Sequence, residues 1–199
     1  MNIKTRKITV SFMIVCILVS MQITQAFASS KTLMNSITPQ PSDRPNWCWA
    51  SVSAASGQYW LGINQYTVCN RTQYDACYHI YNDYNDHIGN IWDVANAMNY
   101  VAYDYGIADS ITSPLDWSYV KTYINQNKPV PAGVYQPQLG TGHMLLVVGY
   151  DDNNSTVYYC DPYNGAKTGV NYTSFITANY GYRWVYSSLW GNYWNGRSW

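Results

Sequence analysis

The chain has 199 residues, 47% of them hydrophobic and 11% charged, and its 11 basic and 11 acidic residues give a formal net charge of zero. It therefore lacks the strong basic field that attracts nucleic acid. Every acidic residue is an aspartate, which excludes HExxH zinc peptidases and any mechanism that requires a glutamate. With 21 Tyr and 9 Trp, the composition is typical of an ordered, aromatic-rich fold rather than a disordered chain.

The N-terminal segment has the pattern of a signal peptide. Three basic residues within the first seven precede the apolar run 8–21, and Ala26-Phe27-Ala28 is a small-x-small cleavage sequence. A membrane anchor is the alternative, but about 14 apolar residues are short of the roughly 20 that span a bilayer. We predict a cleaved signal peptide at residues 1–28 and a secreted protein that no longer contacts the membrane. Residues 29–199 are then long enough for a single domain, expected to be a monomer.

Three segments have the apolar spacing of helices. The first is predicted to begin at an N-cap, Asn46, and to stop at Gly62, and its many Ala and Ser residues permit close packing. The others are residues 91–100 (IWDVANAMNY) and 115–125 (LDWSYVKTYIN). The polar segment after the first helix is too irregular to assign.

The second half of the chain has strand patterns. Residues 131–135 (PAGVY) and the continuous apolar run 143–150 are short enough for buried strands, and a turn of Asp and Asn residues leads to a third strand at 155–161. Aromatic residues alternate over 180–186, which predicts four rings on one face of a further strand. Helices followed by an antiparallel sheet indicate the α+β class.

Cys48 lies in the first turn of the predicted helix. The unpaired amide groups and the helix dipole at that position favour the thiolate, which is the nucleophilic form of cysteine. A structural cysteine, buried or in a disulfide, is the competing interpretation, because disulfides are common in secreted proteins.

A second candidate group combines a histidine with an aspartate. His143 opens the most apolar strand and follows small residues that give access, whereas His79 and His87 lie in a polar stretch typical of a solvated surface. If the strands at 143–150 and 155–161 pair around a turn centred on Asp152, His143 directly faces Asp161, close enough for a hydrogen bond. A slip of one residue would put the two side chains on opposite faces. An ordinary turn residue is the other interpretation of Asp161.

The order of these motifs resembles the papain-like cysteine peptidases, in particular the bacterial branch that includes double-glycine-leader (bacteriocin-processing) peptidase-like domains and secreted effector proteases. The motifs are WCWAS at a helix start, a Pro-Val segment, GHMLLVVGYD, and a strand that ends in CDP. The resemblance implies an N-terminal helical half that carries the nucleophile at a helix N-terminus, and a C-terminal antiparallel sheet or half-barrel. It also implies a thiol endopeptidase in which Cys48 attacks a peptide carbonyl, His143 moves the proton and Asp161 orients the imidazole.

The same resemblance calls for an upstream glutamine that donates a hydrogen bond to the oxyanion. Papain-like sequences usually place it about six residues before the cysteine, where this chain has Ser42, and the nearest candidate is Gln40. A longer loop shaped by prolines could still deliver the Gln40 amide, and the Cys48 backbone N–H would supply a second donor. Gln40 as an exposed linker residue is the alternative, and Asn46 is a second candidate donor.

The remaining cysteines of the mature chain are Cys69, Cys77 and Cys160. Cys69 and Cys77 close a short loop, and we predict a disulfide between them. Cys160 lies on the strand face opposite Asp161 and is expected to be a buried free thiol.

Three functions remain open from the sequence. One is a secreted peptidase acting on polypeptides, and another is an acyltransferase or transpeptidase that uses the same residues. The third is a non-enzymatic cell-wall or glycan binding protein, suggested by the aromatic C-terminal tail, although the alternation at 180–186 favours rings that fill a core. The sequence has no metal-ligand spacing and no nucleotide-binding loop, so no cofactor is implied.

Overall fold

The computed structural model describes residues 29–64, 70–104, 107–178 and 181–191. Within these ranges the helices, numbered in chain order, are α1 (Cys48–Asn64), α2 (Gln73–Tyr81), α3 (Ile91–Val101), α4 (Trp117–Asn125) and α5 (Tyr172–Thr177). The strands found there are β1 (Ser30–Thr32), β2 (Ala108–Ile111), β3 (Val130–Gln136), β4 (Thr141–Asp151), β5 (Thr156–Cys160), β6 (Lys167–Asn171) and β7 (Arg183–Trp190). The predicted signal peptide at 1–28 and the tail at 192–199 lie outside the described residues.

The predicted elements are present, with shifted ends. The helix that carries Cys48 begins at that residue rather than after an Asn46 cap, because the Asn46 side chain donates instead to Asp86. Helix α2 forms in the polar segment after the first helix, whose irregular pattern predicts no element. It and α3 each begin with a capping box, built by Thr72 with Asp75 and by Asn90 with Asp93, which satisfies N-terminal amide groups that would otherwise be unpaired.

The strands of the described residues form one antiparallel sheet in the order β2-β7-β3-β4-β5-β6, and β1 pairs with the end of β4. Helices α1 and α3 pack on one face of the sheet and α2 packs against these two helices, and Leu146 and Val148 of β4 contribute to the core on this side. Helices α4 and α5 cover the other face, where Leu145 and Val147 point into a second core. The alternation along β4 explains why the whole strand is apolar: both of its faces are buried. The α+β class is confirmed.

Helix α1 fits tightly between the sheet and α3 because of its small residues. Ser53 donates its hydroxyl to the carbonyl of Trp49 at 2.7 Å and also contacts the carbonyl of Val94. A Cβ atom on Gly57 would lie 2.6 Å from a methyl carbon of Val101. The helix that begins with Cys48 is therefore held against its neighbours along its length, which keeps its first turn in place.

The prediction that four rings share one face of the last strand is wrong for the part that the structure describes. Gly133 pairs with Tyr186 and Val134 pairs with Trp184, so β7 has one extra residue at this point. This β-bulge turns Trp184 into the core, where it is 1% exposed, and leaves Tyr186 42% exposed on the opposite side. Tyr180 lies outside the described residues.

Among the residues that the structure describes, no helix combines the length and the apolar character needed to cross a bilayer.

Candidate active site

Cys48 is the first residue of α1 and is half-buried. Its neighbours Trp47 and Trp49 are fully buried, and their indole N–H groups donate to the carbonyls of Asn85 and His87 at 2.9 and 3.1 Å. The flanking side chains are thus anchored inward, while the Cys48 thiol faces an open cleft. The backbone N–H groups in the first turn of a helix have no intrahelical partners, so the thiol sits beside free amide donors.

His143 lies on β4, is only 5% exposed, and lines the same cleft as Cys48. Its Nε2 atom is 2.9 Å from Oδ1 of Asp161. The ring also interacts with the Cys48 thiol, which shares this cleft and contributes to the pKa of His143. Because Nε2 is occupied by the carboxylate, the other ring nitrogen, Nδ1, is the one available to the sulfur. The structure therefore places the imidazole between a carboxylate and a thiol.

The predicted register between β4 and β5 is wrong, although the predicted contact is present. Leu146 pairs with Cys160 and Tyr150 pairs with Val157, with a bulge between them, so His143 does not lie directly opposite Asp161. The register is offset by two residues at the site, and an even offset keeps both side chains on one face. Asp161 reaches His143 diagonally, from the turn just after β5.

The electrostatic surroundings of His143 favour its charged form. Burial by itself lowers the pKa of His143, but the hydrogen bond to Asp161 and the interactions with the Cys48 thiol and the Asp161 charge raise it to about 9. At neutral pH the ring is then an imidazolium held between two groups that stabilise its positive charge.

Asp161 is held as a carboxylate by several donors. Burial raises its pKa, but the hydrogen bonds from His143, from the backbone N–H of Tyr163 and from Tyr182 outweigh that effect, so the pKa is lowered. The Tyr163 N–H donates to Oδ1 at 2.9 Å. The rings of Tyr163 and Tyr182 stack on His143 at centroid distances of 4.7 and 6.2 Å. Contacts from two different segments thus restrict the orientation of the imidazole.

Gln40 is not an exposed linker residue: it is 8% exposed and fixed at both ends. Its backbone N–H donates to the carbonyl of Pro162, next to Asp161, at 2.8 Å. Its side-chain Nε2 donates to the carbonyl of Pro45 at 2.7 Å, and within the described residues Oε1 is buried without a partner. A primary amide nitrogen has two N–H groups, so the second one remains available.

The cleft between the helical half and the sheet has a volume of about 460 Å³. The helical wall carries Ile88 and Trp92, which are 79% and 51% exposed, and the sheet wall carries Met144 and Tyr186. Apart from His143, no charged side chain of the described residues lines it. Such a cleft, in which exposed apolar side chains alternate with uncharged polar ones, suits an uncharged part of a ligand.

The predicted disulfide between Cys69 and Cys77 is not present. Cys77 is a free thiol in the core, where it lies 3.7 Å from the carbonyl oxygen of Asn85. Cys69 lies outside the described residues. The prediction that Cys160 is a buried free thiol is confirmed. Burial raises the pKa of both Cys77 and Cys160 to about 11, which keeps them protonated at neutral pH.

Sequence reasoning missed several residues that surround the site. Tyr163 and Tyr182 contact His143 and Asp161, but nothing in their spacing singles them out. Asp86, in the polar stretch expected to be solvated surface, binds the residue two positions before Cys48. One usable signal is the pair of tryptophans around Cys48, because a buried indole N–H needs an acceptor.

The fold is shared with a solved cysteine protease. The structure of xylellain, a cysteine protease from Xylella fastidiosa, matches with a TM-score of 0.55 and 15% identity over 83% of this chain and 87% of its own. UfSP from C. elegans matches with a TM-score of 0.44 and 13% identity, over 86% of this chain and 35% of its own. The avirulence protein AvrPphB from Pseudomonas has a TM-score of 0.29 and 11% identity, over 78% and 96%. No curated protein sequence matches.

The helical half, the antiparallel sheet and the thiol at a helix start together define a papain-like thiol peptidase. The model of the Peptidase_C39-like family matches residues 32–188, which is most of the chain, and the chain belongs to that family.

Proposed function

We propose that this protein is an endopeptidase that cleaves polypeptides through Cys48, His143 and Asp161 and a thioester intermediate. The observation that carries the proposal is the position of the His143 ring, which bonds the Asp161 carboxylate through Nε2 and lines the same cleft as the Cys48 thiol. A ring in this position can hold a proton next to the sulfur and deliver it to a leaving group.

The reaction follows from this arrangement. The Cys48 thiolate attacks the carbonyl carbon of the scissile peptide bond, and the carbonyl oxygen takes the negative charge. As the C–N bond breaks, the His143 imidazolium gives its proton to the departing amine, which leaves a thioester on Cys48. The neutral imidazole then takes a proton from water, the hydroxide displaces the sulfur, and the carboxylic acid leaves with Cys48 again a thiolate and His143 again protonated.

Two donors are available for the oxyanion. The Cys48 backbone N–H lies in the first turn of α1, where amides lack intrahelical partners. We assign the second donor to the free N–H of the Gln40 amide, whose other N–H is committed to Pro45. Removal of one such donor typically lowers kcat by about 100- to 1000-fold, so Gln40→Ala is a sensitive variant.

The primary test compares hydrolysis of casein and of a mixed peptide pool by the wild-type protein and by Cys48→Ala. Loss of cleavage in Cys48→Ala supports the proposal, and equal cleavage would rule it out. An added amine acceptor, with mass analysis of the products, distinguishes hydrolysis from acyl transfer.

A labelling experiment uses the protein's own thiols as controls. Iodoacetamide at neutral pH should modify Cys48 and leave the buried Cys77 and Cys160 intact. His143→Ala should slow the modification of Cys48, because the neighbouring positive charge is lost. Peptide mapping that found equal labelling of the three thiols would contradict a special reactivity of Cys48.

Export is part of the proposal, and it rests on the signal-peptide pattern of residues 1–28. Expression of the full chain in a secreting host should give an extracellular protein that begins near Ser29, as read by N-terminal sequencing. A protein that stays in the cells with an intact N-terminus would contradict this part alone.

A further inference from the structure

The loop that joins α2 to α3, residues 82–90, binds the segment around Cys48 at successive positions. Its backbone carbonyls accept hydrogen bonds from the side chains of Arg44, Trp47 and Trp49 at 2.9 to 3.1 Å. A Cβ atom on Gly89 would overlap the indole of Trp49, so the loop backbone lies directly against that ring. The positions of the residues on both sides of Cys48 therefore depend on this loop.

Among the described residues, Asp86 is the one whose carboxylate joins this loop to the segment around Cys48. Its Oδ1 accepts the backbone N–H of Asn46 at 2.9 Å, and its Oδ2 accepts the Asn46 side-chain amide at 2.9 Å. Two charge-assisted hydrogen bonds to one residue fix both its backbone and its side chain. Asn46 lies between Pro45, whose carbonyl accepts from the Gln40 amide, and the first turn of α1.

The loop is itself held at both ends, so it can act as a support. Asn82 ends α2 in a left-handed conformation, and Asn90 caps α3. Within the loop, the Asp83 carboxylate accepts the backbone N–H of Asn85 at 2.8 Å and contacts the His87 ring at 2.7 Å. The Asp86 carboxylate is thus presented to Asn46 from an anchored backbone.

We propose that Asp86 is a positioning residue. Through its two hydrogen bonds to Asn46 it fixes the positions of the two oxyanion donors. This inference rests on the proposed function. The Gln40 amide is tied to the carbonyl of Pro45, one residue before Asn46, and the Cys48 N–H is two residues after it. A shift of this segment moves both donors relative to the oxyanion, and a hydrogen bond to developing charge weakens steeply with such a shift.

The test separates transition-state positioning from general loosening of the fold. Peptide hydrolysis needs the oxyanion donors, whereas alkylation of Cys48 by iodoacetamide is a displacement at carbon that forms no oxyanion. We expect Asp86→Ala to lower kcat about 10- to 100-fold with KM changed less than threefold, since one or both donors are misplaced. The rate of Cys48 alkylation should stay within about twofold of the wild-type rate, because the thiol and His143 are not bound by Asp86.

The chain offers a matched control at Asp151. Its carboxylate also accepts the backbone N–H and the side-chain amide of one asparagine, Asn153, at 2.9 and 2.8 Å, but in the turn between β4 and β5, away from the cleft. Asp151→Ala removes the same kinds of bonds and should leave kcat unchanged. Asp86→Asn should recover most of the activity, because two asparagine amides can pair while Asn46 keeps its backbone bond.

Two outcomes would overturn the inference: an Asp86→Ala protein with wild-type kcat, or one in which alkylation falls in parallel with kcat. If Asp86→Ala does not fold, Asn46→Ala replaces it. This variant keeps the backbone hydrogen bond to Asp86 and loses only the hydrogen bond of the side-chain amide, so a smaller fall in kcat is expected. An unchanged kcat would contradict the inference. Activity that survives in Cys48→Ala would instead refute the proposed function, which keeps the two failures distinct.

Discussion

At the residue scale, the question is whether the His143 imidazole beside Asp161 is neutral or already protonated before the reaction begins. A neutral imidazole has one N–H and can adopt the wrong tautomer, whereas an imidazolium donates from both nitrogens. The raised pKa of His143, about 9, indicates the imidazolium at neutral pH. The residue that accepts from Nε2 then needs only an oxygen in the right place, and a carboxylate is not essential.

We therefore expect Asp161→Asn to retain activity within about tenfold of the wild type, because the amide oxygen can accept the Nε2–H bond. Asp161→Ala removes the acceptor and should lower kcat about 100-fold or more. Steady-state kinetics of the two variants on one peptide substrate measure the difference. Equal losses in both would show that the negative charge, rather than the orientation, is what matters.

The Asp161→Asn variant also predicts a change in pH dependence. Loss of the Asp161 charge removes one of the groups that raise the pKa of His143. The alkaline limb of the profile of kcat/KM, which reflects loss of the His143 proton, should then move to lower pH. An unchanged limb in this variant would mean that another group controls it.

At the element scale, three of the five described helices and four of the seven described strands were predictable, whereas α2, α5, β1, β2, β6 and the exact strand pairing were not. The apolar run of β4 and the turn before β5 are strong local signals, and they led to the His143–Asp161 contact. The turn is centred between Asn153 and Asn154 rather than on Asp152, because Asp151 pairs with Thr156, and a bulge in β4 between Val147 and Gly149 then moves the pairing back by one residue. The loop between α2 and α3 is polar and is therefore expected at the surface. Its bonds to the Cys48 segment were not predictable, because most are accepted by backbone carbonyls, which are the same for every residue type.

The contact between this loop and α1 predicts that Gly89→Ala and Gly62→Ala change the free energy of unfolding differently. A methyl group at Gly89 would overlap the buried Trp49 ring, whereas one at Gly62, within α1, would meet no atom within 4 Å. Gly89→Ala should lower the free energy of unfolding by about 1 to 3 kcal/mol through overpacking. Gly62→Ala should be neutral or stabilising by up to about 1 kcal/mol from helix propensity. Urea unfolding of both variants checks the pair, and similar effects would contradict the close contact.

The apolar walls of the cleft predict a contribution from Trp92 to substrate binding. Its ring is half exposed on the cleft rim, so it can be covered by an apolar side chain of a substrate. Trp92→Ala should raise KM about three- to tenfold with kcat within twofold, the pattern of lost uniform binding. Tyr119→Ala, which removes a ring of similar exposure from α4 on the other side of the sheet, should leave KM unchanged. A fall in kcat alone for Trp92→Ala would assign the ring a different role.

At the scale of the whole molecule, one sheet with a core on each face brings together residues that are far apart in sequence. Cys48 comes from the helical half, His143 from the central strand β4, and Asp161 from the turn after β5. The sequence order of the motifs was sufficient for the fold class, because each motif carries its own local structure. The tyrosines around His143 were not predictable, since their positions depend on the conformations of the loop after β5 and the loop before β7.

The ionisable groups of the fold set a pH optimum for stability on the weakly acidic side. The pKa of His143 is raised from 6.5 to about 9 on folding, so its contribution is complete below pH 6.5 and is lost as the pH rises through about 9. The buried thiols of Cys77 and Cys160, with pKa values raised from 9.0 to about 11, extend the loss to higher pH. The pKa of Asp161 is lowered, so its contribution is present above its ordinary pKa of 3.8 and is lost as the pH falls below it.

The free energy of unfolding should therefore be highest between about pH 5 and 6.5 and decline on both sides. Between pH 6.5 and 9 the decline from His143 is at most about 3 kcal/mol, since each unit of pKa shift corresponds to about 1.4 kcal/mol. Urea unfolding of the wild type and of His143→Ala at intervals across this range measures it. The variant should be less stable at pH 6 and should show a flatter curve up to pH 9, because it lacks the group that releases its proton on unfolding. Parallel curves for the two proteins would contradict a charged His143 in the folded state.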